Sequence, residues 1–160
     1  MSNHKAVLAL IAATPAFLLA SYGPSRAEVL NLKADLKGSE ETPPSTSAGT
    51  GSFTGTYDTK TKKLTWTITY SGLTGPVTRA DFHGPAGIGK YGSIKVRVIV
   101  NHSPIEGSAI LTKPTAKALD NDLLNGKFYI NLHTAAYPRG EIRGQIVKTY
   151  IVSDNPRRRG

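Results

Sequence analysis

From position 29 onward the chain alternates between apolar and polar residues. Leu30, Leu32, Ala34 and Leu36 fall on one side of an extended segment and Asn31, Lys33 and Asp35 on the other, because successive side chains of a strand point to opposite faces. The pattern recurs with Phe53, Gly55 and Tyr57 against Ser52, Thr54 and Thr56. It is clearest where Leu64, Trp66, Ile68 and Tyr70 alternate with Thr65, Thr67 and Thr69, residues 58–63 forming a hairpin connection. Further strands are predicted through Ile94, Val96, Val98 and Val100, over residues 108–112, through Phe128, Ile130 and Leu132, and through Ile142, Gly144 and Ile146. Helical spacing occurs once, at Leu119, Leu123 and Leu124, which predicts a short loop helix over residues 115–125. Roughly eight strands at about 10-residue spacing predict an all-β domain, a two-sheet antiparallel sandwich or a barrel. Trp66, the only tryptophan, is predicted to lie between the sheets with Leu64 and Ile68.

The N-terminus breaks this pattern. Lys5 precedes an apolar run over residues 6–20, interrupted only by Thr14 and Pro15, and Ser25-Arg26-Ala27 places small residues where a signal peptidase reads. The run is shorter than the roughly 20 residues that cross a bilayer core, so the expectation is a signal peptide over residues 1–27 rather than an anchor. The mature chain then begins at Glu28 and is secreted or periplasmic, with one domain over residues 28–148. Residues 149–160 form a strand end and a basic tail. Sixteen glycines and ten prolines read as punctuation between short strands. The chain has no cysteine, so disulfides, thiolate metal sites and cysteine nucleophiles are all excluded.

Of 20 basic residues, Lys5 and Arg26 would leave with the leader, and against 11 acidic residues the mature chain carries about +7. That balance admits an anionic surface ligand as partner. The basic residues are scattered, however, and the one dense cluster, Arg157 to Arg159, sits in a terminal tail. Aromatic and basic positions do not interleave as a stacking platform for single-stranded nucleic acid requires, so nucleic acid is not an expected partner.

Three blocks carry a family resemblance: Glu41-Thr42-Pro43-Pro44, then Asp81-Phe82-His83-Gly84-Pro85-Ala86, then Tyr129-Ile130-Asn131-Leu132-His133-Thr134 followed by Pro138-Arg139-Gly140-Glu141-Ile142-Arg143-Gly144-Gln145. In this order, over about residues 30–148, they resemble the CHRD, or chordin-type, domain. That family is widespread in exported bacterial proteins and occurs as a repeated module in the animal protein chordin. The resemblance implies an immunoglobulin-like sandwich, through a faint similarity to copper-zinc superoxide dismutase, and brings with it no established activity. It also marks Glu41, Pro43, Pro44, Gly84, Pro85, Asn131, Glu141, Arg143 and Gly144 as structural motif positions. The chain departs from the family at Asp81, where the middle block usually begins with a histidine.

Asp81 and His83 share a strand face, and His133 lies on the face opposite Leu132. Two imidazoles and a carboxylate converging at one end or edge of the sandwich would suit copper, zinc or non-haem iron, with affinity falling as pH drops through about 6.5, the ordinary histidine value. The competing expectation is that these histidines only bond backbone carbonyls in bends. Glu141 and Arg143, two apart, are expected to form cross-strand ion pairs rather than an acid catalyst and its orienting partner. His102, before Ser103-Pro104, has no partner at ligand spacing. No Gly-x-Ser-x-Gly elbow is present, and the glycine-rich stretch at residues 84–89 lacks the Lys-Ser or Lys-Thr of a phosphate loop. Catalysis is therefore not expected. The leading expectation is an extracytoplasmic binding or structural module, ahead of a metal-binding protein with a redox role and a polyanion-binding surface protein.

Overall fold

The structure, a computed structural model, describes residues 28–111 and 116–149; the predicted signal peptide and the Arg157 to Arg159 cluster lie outside them. The strands are β1 (Val29–Lys37), β2 (Thr50–Asp58), β3 (Lys63–Ser71), β4 (Val77–Gly84), β5 (Ser93–Val98), β6 (Ile105–Ile110), β7 (Tyr129–Thr134), β8 (Ile142–Gln145) and β9 (Val147–Thr149). A 3-10 turn over Gly38–Glu40 follows β1, and one helix, α1 (Ala116–Leu124), precedes β7. The described part of the chain is thus all-β apart from these two pieces. None of its helices is long and apolar enough to cross a membrane.

All the pairings are antiparallel, in the order β5-β4-β7-β8-β1-β2-β3-β6, with β9 also on β1. The ladder is continuous, so the strands make one sheet curled into a nearly closed barrel rather than two separate sheets. It narrows at one seam, where β8 and β1 share the single pair Lys37↔Arg143. On either side of that seam the sheet folds back on itself, and Phe82 of β4 meets Trp66 of β3 at 5.1 Å between ring centroids and Phe53 of β2 at 5.7 Å. Edge-to-face and tilted contacts at these distances are the preferred aromatic geometry.

The alternation translates directly into burial. Leu32, Ala34 and Leu36 of β1, Phe53 and Tyr57 of β2, and Leu64, Trp66 and Ile68 of β3 all face the core. Their outward neighbours on β2 and β3 are hydroxyl residues in register, and Thr56 and Thr65 bond across the strands at 2.6 Å, Ser52 and Thr69 at 2.8 Å. Helix α1 covers one end, with Leu123 in the core and Asp120 bonded to Tyr57 and ion-paired to Lys62 at 2.5 Å.

Three strand expectations shift. The strand expected over residues 108–112 runs instead over Ile105–Ile110, because pairing of Ile105 with Ile68 and of Ile110 with Lys63 fixes its register on β3. Ile94 is exposed rather than inward, since β5 is an edge strand and the ladder to β4 carries a bulge at Phe82/His83. The strand expected through Ile142, Gly144 and Ile146 breaks at Ile146, whose N–H donates to Phe128 O at 2.9 Å. Beyond it, β9 leaves β7 and pairs with β1.

Candidate metal centre

In an antiparallel sheet of this kind one face packs on the core and the other meets water. The outer face of β4, β7 and β8 does not. All six residues of β7 are buried, the apolar Ile130 and Leu132 inward and Tyr129, Asn131 and His133 outward. Two loops roof that outer face. Residues 85–92 turn back over it, with Gly87 and Lys90 carbonyls accepting from Arg143 at 3.1 and 2.9 Å. The stretch after β1 closes the other side, where Thr42 Oγ1 accepts from Arg143 at 3.2 Å and Tyr91 OH donates to the Thr42 carbonyl.

Under this roof the register sets Arg79 opposite His133, Asp81 opposite Asn131 and His83 opposite Tyr129. Asp81 is central, His83 lies two residues along the same strand, and His133 sits diagonally across. One ligand atom from each of Asp81, His83 and His133 lies within 4.8 Å of the other two. The three residues therefore converge, but on the middle of a covered sheet face rather than at one end of the sandwich. Antiparallel pairing separates the turns that follow His83 and His133.

The protonation of this cluster follows from its partners. His83 Nδ1 lies 3.0 Å from the Gly92 carbonyl and His133 Nδ1 3.2 Å from the Pro138 carbonyl. A carbonyl only accepts, so Nδ1 carries the proton in both rings and each Nε2 keeps a lone pair. His83 also stacks on Tyr129 at 4.8 Å, with Arg143 lying 3.5 Å from the same ring's centre. Burial lowers the pKa of His83, and burial together with the Arg79 charge pushes that of His133 down to about 4, so both imidazoles are neutral at pH 7.

Asp81 is fully buried, with Arg79 Nε 2.8 Å from Oδ2 and Arg97 Nη1 3.9 Å from Oδ1. Despite this closeness, neither carboxylate oxygen receives a directed hydrogen bond, and His83 Nε2 has none either. Glu41 Oε1 and Asn131 Oδ1 are further buried acceptors without a donor on the same face. Such a surplus of buried lone pairs is unusual, because buried polar atoms are normally satisfied.

The motif residues divide by role. Glu41 approaches Asn131, whose Nδ2 lies 3.4 Å from Oε2. Pro43, Pro44 and Pro85 are exposed in the roofing loops, the Thr42–Pro43 and Gly84–Pro85 peptides being cis. A Cβ at Gly84 would lie 2.7 Å from the Phe128 ring, and one at Gly144 would lie 2.5 Å from the Asp35 carbonyl, so both positions hold backbone against backbone or ring. Among the described residues neither Glu141 nor Arg143 forms the expected cross-strand ion pair. Glu141 accepts from Ser47, Thr74 and Thr134, whereas Arg143 donates to the roof. Residues 141 and 143 are two apart, at the start of β8 and within it, but their nearest partners lie on different loops.

The residue that periodicity does not single out is Arg79. Its position two before Asp81 is the available signal, since that spacing returns it to the same face.

The CHRD domain family matches residues 32–146, most of the chain. The chain belongs to the CHRD domain family. Searches of curated proteins and of solved structures find no match. In this CHRD domain the blocks that carry the resemblance occupy one place in space: the loop at Glu41 and Thr42, strand β4 with its turn at Gly84, strand β7, and strand β8 together make the covered polar face and its roof.

Glu41 offers a test of how that face is held. Burial raises its pKa to about 7, against the lowering influence of Arg143 and the bonds from Thr42 and Asn131. A raised folded value means the stability Glu41 contributes is present below about 4.5 and lost as pH rises through about 7. Glu41→Gln presents an amide that donates to the unpartnered Asn131 Oδ1 at every pH. The stability of the variant relative to the parent should therefore rise by about 2 kcal/mol between pH 5 and pH 8. Urea melts of both proteins at the two pH values check this, and a constant difference would show that Glu41 is ionised throughout.

Proposed function

We propose that this CHRD domain is an extracytoplasmic binding module whose ligand is a divalent transition metal, copper or zinc, held by Asp81, His83 Nε2 and His133 Nε2. The observation that carries this reading is the gathering of three ligand atoms within 4.8 Å in a covered site where His83 Nε2 and both Asp81 oxygens receive no directed hydrogen bond. Both rings have their Nδ1 proton committed to a backbone carbonyl, the arrangement that fixes a metal-binding tautomer and raises ligand basicity. A carboxylate and two neutral imidazoles suit zinc or copper and leave further coordination positions for water or substrate, which would give bound copper a redox role. The predicted signal peptide and the family resemblance support an exported location.

Calorimetry with zinc and with copper tests the reading. The parent should bind one equivalent, and His133→Ala should weaken binding by at least about 100-fold, more than the loss of an outer-shell partner costs. Equal weak binding by both proteins would leave the histidines with backbone hydrogen bonds only. Ligation needs neutral rings, and burial holds His133 near 4 rather than the ordinary 6.5. Burial lowers the pKa of both rings, so affinity should persist below the ordinary histidine value of about 6.5 before it falls.

A further inference from the structure

We propose that the guanidinium of Arg79 is a built-in occupant of the metal position, which an incoming metal ion must displace; the inference rests on the metal reading above. Arg79 Nε lies 2.8 Å from Asp81 Oδ2, and its Nη2 lies 3.3 Å from His133 Nε2. Those two acceptor atoms are 3.8 Å apart and belong to two of the three residues of the site. Arg79 Nη2 also lies 3.2 Å from His133 Nδ1, but with the Nδ1 proton turned to the Pro138 carbonyl, Nε2 is the ring nitrogen able to accept from it. A lone pair serves an N–H or a metal ion, not both. Occupancy by Arg79 and by a metal are mutually exclusive.

The same geometry shows the way out. Asp81 and His133 are 0% and 3% exposed at their side chains, whereas that of Arg79 is 45% exposed and reaches into the site from its rim. It can swing into water while the ligands stay in place. Arg97 provides the contrast, since its side chain is 72% exposed and 3.9 Å from Asp81 Oδ1, close enough to repel a cation but bonded to neither imidazole. A site filled by its own cation binds metal with an apparent affinity reduced by the fraction of molecules in which Arg79 has left. That suits reversible capture and release of metal rather than permanent retention of a cofactor.

Zinc titrations of the exported chain by calorimetry, with the parent, Arg79→Ala and Arg97→Ala, test the displacement. Arg79→Ala should bind at least about 10-fold more tightly than the parent, and Arg97→Ala should stay within about threefold of it. In the parent, the nitrogen-15 signal of the Arg79 Nε–H should move to its free, solvated position on adding zinc. Equal affinity in parent and Arg79→Ala, with binding still dependent on His133, would overturn the displacement and leave the metal site standing. An equal gain in Arg97→Ala would also overturn it, assigning the effect to charge alone. If neither parent nor Arg79→Ala binds zinc or copper, the metal reading and this inference fall together.

Discussion

Trp66→Ala is expected to lower the free energy of unfolding by about 3 to 5 kcal/mol, the usual cost of removing a large buried aromatic side chain. Trp66 is 7% exposed and lies between the fully buried Leu64 and Ile68 on the inner face of β3. Its ring is 5.1 Å from that of Phe82, and Phe82 in turn is 5.7 Å from Phe53, so the aromatic group joins β2 and β3 to β4 across the barrel interior. The two flanks of the sheet share only the pair Lys37↔Arg143 through hydrogen-bonded register. Beyond that pair and the loop hydrogen bonds at Glu141 and Arg143, side-chain packing across the interior holds them together. Because domains of this size are stable by only about 5 to 15 kcal/mol, the loss is a large fraction of the total. Chemical denaturation followed by circular dichroism measures it without relying on the deleted fluorophore. A midpoint equal to the parent's would contradict the place given to Trp66 in the core. Ile110→Ala, at a position 62% exposed, should move the midpoint little by comparison.

What could be read from the chain and what could not follows a physical division. Period-two alternation reports which face of a strand is apolar, so the inward sets of β1, β2 and β3 were accessible to it. The same parity brought Asp81 and His83 together, and the family blocks added His133. Alternation carries no information on what lies above the polar face. On β7 the polar residues Asn131 and His133 are as buried as Ile130 and Leu132, because loops distant in sequence cover them. For the same reason the partners of Glu141 could not be read. Cross-strand ion pairs are the natural inference for charged residues two apart, yet Arg143 is drawn to the carbonyls of Gly87 and Lys90, and Glu141 to hydroxyls 94 and 67 residues before it. Whether the ladder closes into one curled sheet or splits into two depends on a single pair at the β8–β1 seam, which strand counting cannot resolve.

Glu141→Ala is expected to destabilise the fold by about 1 to 3 kcal/mol, as the removal of the acceptor from a largely buried hydrogen-bond network does. The Glu141 carboxylate is fully buried, and each oxygen is bonded twice. Oε1 accepts from Ser47 Oγ at 2.7 Å and from the Thr74 N–H at 2.8 Å, while Oε2 accepts from Thr74 Oγ1 at 2.8 Å and from Thr134 Oγ1. One side chain thereby ties the segment before β2, the loop before β4 and the end of β7 to the start of β8. Truncation leaves an N–H and three hydroxyls without their acceptor, of which the buried Thr134 hydroxyl cannot turn to solvent whereas those of the exposed Thr74 and half-buried Ser47 can. Glu141→Gln keeps one oxygen and lets hydroxyls rotate, so it should cost about half as much. The two variants also separate in acid. Burial alone would raise the carboxyl's pKa, but the bonds from Ser47, Thr134 and Thr74 outweigh it and hold the group below its ordinary value. A lowered folded value gives stability that is present above about 4.5 and lost as pH falls through the folded pKa, since the unfolded chain takes up the proton first. The parent should therefore lose stability relative to Glu141→Gln below about pH 4.5, in melts taken at pH 3 and pH 6. A difference that does not change with pH would mean that the carboxylate's charge contributes nothing to the network and that its shape alone holds the three segments.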